Sequence, residues 1–305
     1  MGALSFVYLI LVLNPIQMLS LLVFPLAPRL ARRVNRWCAR SIWGLWVLMA
    51  ESILGCEIQV KGDRLPWREN ALVLPNHQSM ADILILLCVA WRCGRLSDMK
   101  WFAKDALKYV PGPGWGMWLL DCIFLKRDWT RDREGILKLF AKYKTHKIPI
   151  FLVSFLEGTR KTAKNHAQAQ AYAAERGHDV PQHTLIPRTK GFIATMLGLR
   201  SHLDAVYDVT IGYPGEVPSL WQAFSSEMRR VDVHVRRFPV NQLPEDEQGL
   251  GAWVFERFQE KDALLAEFHA QGVFEGEDLY PKPRISDWLK PEHLEPQAAS
   301  TIKGR

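Results

Sequence analysis

A histidine and an aspartate five residues apart lie in the segment NHQSMAD, which covers Asn76 to Asp82 and follows an apolar run ending at Pro75. A neutral imidazole can take a proton from an alcohol near neutral pH, and a carboxylate on its other ring nitrogen fixes the tautomer and stabilises the imidazolium. Partners on one helix face lie three or four residues apart, so this gap favours a strand-to-helix turn that brings Asp82 back to His77. The alternative is a buried histidine that a turn aspartate satisfies. A metal site is weaker, because no third ligand has recognisable spacing nearby.

A second polar segment follows the apolar run at 151–156 and reads Glu157-Gly158-Thr159-Arg160. Glycine permits a positive φ or a close backbone approach, and Arg160 can offer a phosphate two parallel N–H donors. Glu157 can hold a hydroxyl or brace an arginine. A tight turn with a surface arginine is the alternative for these four residues.

Two further segments carry cations where a regular element ends or begins. FLKRDW places Lys126 and Arg127 after a short apolar run, and LIPRTKGF places Arg188 and Lys190 before an expected helix. The Lys-Arg pair at the strand end is one candidate for phosphate binding, and the second segment is another because a helix N-terminus attracts anions. The alternatives are a solvated strand end and ordinary helix capping.

The elements that must position these residues follow from apolar patterning. Apolar runs predict strands over Ile58–Val60, Ala71–Leu74, Cys122–Leu125, Ile148–Phe155, Val206–Ile211 and, by two-residue alternation, Val231–Arg236. Helical spacing predicts helices over Ile83–Ala90, Asp132–Tyr143, Phe192–Leu199 and Leu250–Phe268, with an Ala/Gln-rich helical piece in a polar insertion over 161–183. Strands alternating with helices predict an α/β fold with a largely parallel mixed sheet, whose carboxyl strand ends collect ligands and include His77.

The N-terminus predicts a membrane anchor. Met1 to Pro28 contains no charged side chain, and the five arginines at 29, 32, 33, 36 and 40 then alternate with apolar residues at helical spacing. The uncharged stretch is long enough to span a bilayer, but Pro15 favours a kink or two short halves that dip into one leaflet, and both arrangements stay open. The stretch lacks the basic start and cleavage site of a signal peptide. Trp43–Leu54 is short and contains Glu51, so we expect it to pack against the first segment or the interface.

Composition sets broader limits. The 305 residues carry a net charge of +7 with a pI near 9.2, which favours an anionic partner. Five cysteines with no CxxC pair predict buried free thiols and a reducing compartment. The predicted division is an anchor with a basic interfacial helix over 1–56, a catalytic domain over 57–240, and a C-terminal helix with a polar tail over 241–305. Beyond Glu275 we expect a loosely ordered tail.

Together, the order and spacing of NHQSMAD, FLKR, EGTR and LIPRTKGF resemble the four boxes of the glycerolipid acyltransferase family, the lysophosphatidic acid acyltransferases. The likeness covers roughly residues 60–240, and the segments FLKRDW and WVFERFQEKDALL are similar to its eukaryotic endoplasmic-reticulum branch and bacterial relatives. One departure is Asp121, which stands where the second box usually has a glycine. This difference predicts an altered wall of the acceptor site.

The resemblance implies transfer of a fatty acyl group from coenzyme A or acyl carrier protein to the hydroxyl of lysophosphatidic acid, without an acyl-enzyme. It implies His77 as general base and Asp82 as its orienting group. Phosphate binding would fall to Arg127 and Arg160, assisted by Arg188 or Lys190. Glu157, Gly158 and Thr159 would shape the acceptor site. It implies no cofactor other than the thioester donor and no metal.

The setting and the competing interpretations follow from the same features. The positive-inside rule predicts a membrane-associated protein whose catalytic domain faces the cytoplasm, at the inner membrane in a bacterium. The expected partners are a phospholipid membrane, a lysophospholipid and the acyl donor, and we expect no nucleic acid. Alternatives are an acyltransferase for another lysophospholipid, such as a lysophosphatidylinositol- or lysophosphatidylglycerol-like acceptor, a remodelling transacylase, or an inert lipid-binding protein.

Overall fold

The computed structural model describes residues 2–126, 128–177, 179–280, 282 and 286. The strands are β1 Glu57–Gly62, β2 Ala71–Pro75, β3 Met99–Lys104, β4 Ile123–Leu125, β5 Phe151–Val153, β6 Ala205–Gly212 and β7 Arg230–Pro239. The helices are α1 Gly2–Tyr8, α2 Asn14–Val23, α3 Pro28–Leu48, α4 Ala81–Arg92, α5 Pro113–Leu119, α6 Trp129–Thr145, α7 Ala163–Glu175, α8 Thr189–Leu199, α9 Leu220–Ala223 and α10 Glu247–Gln271.

The strands form one mixed sheet in the order β1-β7-β6-β2-β5-β3-β4. Neighbouring strands run parallel except β6 and β7, which pair antiparallel. In the centre, Val73 of β2 pairs with Val153 of β5 on one side and with Tyr207 of β6 on the other. The predicted α/β class with a largely parallel mixed sheet is confirmed, and the carboxyl ends of β2, β5 and β6 meet at one edge.

The sheet is buried on both faces because successive side chains of a strand point to opposite sides. Ala71 and Val73 of β2 belong to a core with α3 and α4, whereas Leu72 and Leu74 belong to a second core with α6, α8 and α10. All four side chains are at most 1% exposed. This double burial explains why β2 reads as an uninterrupted apolar run.

One predicted strand is shorter in the structure, and one strand of the structure is not predicted. The other strands and the four helices lie where patterning predicts them. The run Ile148–Phe155 was expected as one strand, but β5 covers only Phe151–Val153. Lys147 has φ +48° and Pro149 has no N–H, and the N–H of Ile150 donates to the side chain of Asn70 instead of to a neighbouring strand. The strand β3 was missed because Lys100 and Lys104 interrupt its apolar pattern.

The N-terminal segment forms a helical hairpin. A π turn over Leu9–Leu13 joins α1 to α2 just before Pro15, so the expected irregularity is a bulge within one helix. This helix, Gly2–Val23, is long and apolar enough to cross a membrane by length and composition. α3 returns antiparallel beside it, with Asn35 Nδ2 2.9 Å from Ser20 Oγ and Trp46 Nε1 2.9 Å from Ser5 Oγ.

The hairpin lies along the catalytic domain. Arg36 of α3 pairs with Asp98 at 2.7 Å, and Asn14 Oδ1 accepts the backbone N–H of Gly112 at 2.8 Å. The expectation that Trp43–Leu54 packs against the first segment is confirmed by the contact of Trp46 with Ser5. The same stretch also packs against α4, where Glu51 is fully buried and ion-paired with Arg92.

The chain after α10 returns to the first strand. Asp278 Oδ1 accepts the N–H of Val60 at 2.9 Å, and Tyr280 Oη accepts that of Leu65 at 2.7 Å. The expectation of a loose tail is therefore wrong up to Tyr280, since these bonds add it to the edge of β1. The rest of the tail lies outside the described residues, apart from isolated positions.

Asp121, which stands in place of a glycine, occupies the left-handed region with φ +61°. Glycine enters this region freely, and aspartate enters it more easily than most other residues. The side chain pairs with Lys142 Nζ at 2.6 Å, and its carbonyl accepts the hydroxyl of Tyr143. The departure from the family pattern therefore has a local backbone explanation.

Replacing Asp121 tests this explanation. Asp121→Ala should be less stable than Asp121→Gly by about 1 kcal/mol, because both lose the Lys142 pair but only alanine strains the left-handed backbone. The measurement is the free energy of unfolding in detergent. Asp105 is the matched control, since it pairs with Lys108 at 2.6 Å without a positive φ, so glycine should be the worse substitution there. The same order at both positions would contradict the explanation.

Candidate active site

The strand-to-helix turn brings His77 and Asp82 together. His77 follows the end of β2, and its Nδ1 lies 2.9 Å from Oδ2 of Asp82 in the first turn of α4. The same oxygen accepts the backbone N–H groups of Gln78 at 2.7 Å and Ser79 at 2.9 Å. The contact that the five-residue gap predicts is confirmed, and because Nδ1 is occupied, Nε2 is the ring nitrogen available to a substrate.

The neighbouring strand β6 fixes the ends of this turn. Asn76 Nδ2 donates to the carbonyl of Ile211 at 3.0 Å, and Asn76 Oδ1 accepts its N–H at 2.8 Å. Tyr213 Oη lies 2.6 Å from Asp82 Oδ1. Sequence analysis assigned no role to Asn76 or Tyr213, although Asn76 is part of the motif itself.

The EGTR turn binds His77 on both sides of its peptide. Glu157 is buried, and its Oε2 accepts the N–H of His77 at 2.6 Å while Oε1 accepts that of Leu185 at 3.0 Å. Lys161 N donates to the carbonyl of His77 at 2.8 Å. Burial raises the pKa of Glu157 to about 8, against the opposing effect of the two N–H donors. The Glu157 carboxyl group therefore joins the histidine loop to the segment before α8.

An aromatic ring covers the imidazole. Phe155 stacks on His77 with ring centroids 4.0 Å apart, and the His77 side chain remains 13% exposed. The stacked ring limits the rotation of the imidazole and leaves one edge open. Sequence analysis placed Phe155 only at the end of a strand, and nothing in the pattern marked it as a neighbour of His77.

Gly158 and Arg188 lie against each other. Gly158 has φ +69°, and a β-carbon at this position would lie 3.1 Å from Nε of Arg188. The backbone N–H of Arg188 donates to the carbonyl of Leu156 at 2.8 Å. A glycine is needed here both for the backbone conformation and for the approach of the arginine.

The cations predicted to bind phosphate lie at the surface where the structure describes them. Arg160, Arg188 and Lys190 are exposed, and across the described ranges no hydrogen bond or ion pair engages their side-chain nitrogens. Thr159 Oγ1 accepts from Asn165 Nδ2 at 3.2 Å. Arg127 lies outside the described residues.

A buried lysine binds the backbone of the two strands that lead to the site. Lys261 of α10 is 0% exposed, and its Nζ donates to the carbonyls of Val209 at 2.5 Å and Leu74 at 3.2 Å. It pairs with Asp208 at 2.7 Å. Burial lowers the pKa of Lys261, and the Asp208 carboxylate opposes that shift. A signal existed in the sequence, because Lys261 interrupts the apolar stripe of α10 between Phe258 and Leu265.

The other reactive groups to consider are cysteine thiols and possible metal ligands. All five cysteines are free and buried. Among the residues that the structure describes, no group of three or more His, Cys, Asp or Glu side chains has the arrangement of a metal site.

Comparison with known proteins identifies the family to which this chain is similar. The family model described as acyltransferase matches residues 57–213, just over half of the chain, and a model described as acyltransferase C-terminus matches residues 222–290. The human 1-acyl-sn-glycerol-3-phosphate acyltransferase gamma is 34% identical over 92% of this chain and 76% of its own length. A probable 1-acyl-sn-glycerol-3-phosphate acyltransferase 5 of Arabidopsis thaliana is 33% identical over 80% of this chain and 67% of its own length.

A solved structure shares the fold. The crystal structure of the 1-acyl-sn-glycerophosphate acyltransferase from Thermotoga maritima matches 88% of this chain and 94% of its own with a TM-score of 0.53, at 16% identity. An identity of 16% supports only the shared fold, whereas the family model and the relatives above 30% identity show the family. The chain therefore belongs to the acyltransferase family.

Proposed function

We propose that this protein transfers a fatty acyl group from an acyl thioester to the free hydroxyl of lysophosphatidic acid, giving phosphatidic acid. The observation that carries the proposal is the 2.9 Å contact between His77 Nδ1 and Asp82, which leaves Nε2 available at the carboxyl edge of the sheet. The curated relatives that are 33–34% identical are named for acylation of 1-acyl-sn-glycerol-3-phosphate.

The chemistry needs one base and no covalent enzyme intermediate. Nε2 of His77 accepts the proton of the acceptor hydroxyl as its oxygen bonds to the thioester carbonyl carbon. The tetrahedral intermediate collapses, the carbon–sulfur bond breaks, and the imidazolium returns the proton to the departing thiolate. Asp82 stabilises the imidazolium and holds the tautomer in which Nδ1 carries the proton. The donor is coenzyme A or acyl carrier protein, which is a substrate, and the reaction uses no other cofactor.

The acceptor phosphate is bound by the exposed cations. Arg160 follows the turn that brackets His77, and Arg188 contacts Gly158 of the same turn, so both cations start close to the base. Lys190 lies in the first turn of α8, whose amide groups favour an anion. Thr159 and Arg127 complete this proposed phosphate site, with Glu157 holding its backbone.

The hairpin lies in the membrane interface instead of spanning the bilayer. Arg36 and Asn14, near the middles of the two hairpin helices, both contact the catalytic domain. If α2 crossed the bilayer, the antiparallel α3 would carry its arginines to the same depth, at a cost of roughly 2.5–3.5 kcal/mol for each one at the centre. Leucine and valine side chains at 4, 7, 11, 19 and 22 are exposed and supply the apolar surface. The arginines of α3 favour the anionic lipids of the cytoplasmic leaflet, so the catalytic domain then lies on the cytoplasmic face.

Removing the base tests the reaction. His77→Ala should reduce acyl transfer by about 10²–10⁴-fold, because a general base contributes that much. The assay follows thiol release and phosphatidic acid together, using long-chain acyl-CoA and lysophosphatidic acid in detergent. His146→Ala, at an exposed histidine after α6, is the control and should stay at wild-type activity. A His77→Ala rate within a few-fold of wild type would rule out the base, and thiol release without phosphatidic acid would point to another acceptor.

Removing an exposed cation tests the acceptor site. Arg160→Ala should raise KM for lysophosphatidic acid by about tenfold with little change for acyl-CoA, because one charge-assisted contact to phosphate is lost. The measurement varies each substrate in turn. Arg176→Ala removes an exposed arginine at the end of α7 and should leave both KM values unchanged. An equal loss for a neutral lysolipid acceptor would contradict phosphate binding by Arg160.

Labelling from one side of a vesicle tests the interfacial hairpin. Single cysteines replacing Ala3 and Arg29 should both react with an impermeant thiol reagent from the side that carries the catalytic domain, which Arg176→Cys marks. The parent chain gives the background, since its own cysteines are buried. Reaction of Arg29→Cys only from the opposite side would show that the hairpin crosses the bilayer.

A further inference from the structure

The two oxygens of the Asp82 carboxylate have unequal support. The side chain is 0% exposed, so water cannot solvate it. Oδ2 accepts three hydrogen bonds, from His77 Nδ1 and from two backbone N–H groups of its own turn. Oδ1 accepts a single described hydrogen bond, from the hydroxyl of Tyr213 at 2.6 Å. The orientation of the carboxylate plane therefore depends on one phenol from another element.

Tyr213 is held in place for this contact. It directly follows β6, whose end is joined to the end of β2 by the two hydrogen bonds between Asn76 and Ile211. Its ring is 2% exposed and belongs to the core shared with α4. Burial, and then the Asp82 carboxylate, raise the pKa of Tyr213 well above its ordinary value. The phenol thus keeps its proton and acts as a donor to Asp82.

We propose that Tyr213 is a positioning residue for acyl transfer, acting on His77 through the carboxylate of Asp82; this inference rests on the proposed function. Held at both oxygens, the carboxylate cannot rotate about its Cβ–Cγ bond, so Oδ2 stays aligned with Nδ1 of His77. Without the hydroxyl, Oδ1 is a buried acceptor with no partner, and the carboxylate rotates toward another hydrogen-bond donor. Nε2 of His77 would then lose its fixed direction toward the acceptor hydroxyl.

The same strand offers a matched control. Tyr207 lies on β6, is 0% exposed, and donates its hydroxyl to a carboxylate, Glu69 Oε2, at 2.5 Å. Glu69 pairs with Arg237 and takes no part in the His77 turn. Tyr207→Phe therefore removes another hydrogen bond from a tyrosine to a carboxylate, on the strand that precedes Tyr213 and away from the base.

The first experiment compares Tyr213→Phe with Tyr207→Phe in purified full-length protein. Substrates are long-chain acyl-CoA and lysophosphatidic acid at fixed detergent, and thermal unfolding is followed in parallel. Tyr213→Phe should lower kcat by about tenfold to a hundredfold with KM for either substrate within twofold, because a charge-assisted hydrogen bond is lost without change to the binding groups. Tyr207→Phe should keep wild-type kcat. Equal kcat in the two variants would overturn the inference.

A double-mutant cycle separates positioning from general loss of structure. If Tyr213 acts through Asp82, Tyr213→Phe should cause no further loss of kcat in an Asp82→Ala background, where no buried acceptor is left unpaired. Independent, multiplying losses would show that Tyr213 acts on the fold. This background also covers the case in which Tyr213→Phe alone unfolds. A wild-type protein without acyl transfer would refute the proposed function itself, a result distinct from equal rates in the two tyrosine variants.

Discussion

The Asp82 carboxylate is buried, and a buried carboxylate must find all its hydrogen-bond partners within the protein. An unpaired one costs several kcal/mol, far more than an exposed ion pair contributes. The partners here come from three places: the turn before α4, the imidazole of His77, and Tyr213 after β6. The turn, the helix start and the adjacent strand must therefore all be in place for the carboxylate to have its full set of partners.

This requirement explains the arrangement of the sheet around the site. β6 must lie beside β2 so that its end reaches the turn, and the pairing of Asn76 with Ile211 fixes the two ends at matching heights. β5 lies on the other side of β2 and leads into the EGTR turn. Glu157 of that turn and Lys161, which directly follows it, bind both sides of the His77 peptide. The base is thus held through its backbone by one neighbouring strand and through its aspartate by the other.

The charges divide by burial. Glu51 with Arg92 and Lys261 with Asp208 are buried pairs. The first joins the π turn after α3 to α4, and the second joins α10 to β6. Lys261 shows that the C-terminal helix belongs to the structure of the site, since its ammonium group binds the carbonyls of Leu74 in β2 and Val209 in β6. Arg160, Arg188 and Lys190, which are proposed to bind phosphate, are exposed instead, which keeps them available to an anion.

The sequence by itself determined the elements and one contact of the site. Apolar runs and helical spacing predict most strands and helices, because burial on both faces or on one stripe repeats at a fixed period along the chain. The five-residue gap predicts the meeting of His77 and Asp82, because both lie within one turn. The tertiary structure alone decided which distant groups surround them. Tyr213 is 131 positions from Asp82 and Phe155 is 78 positions from His77, and no local period encodes such contacts. Those neighbours follow from the order of strands in the sheet, which depends on how the whole chain packs.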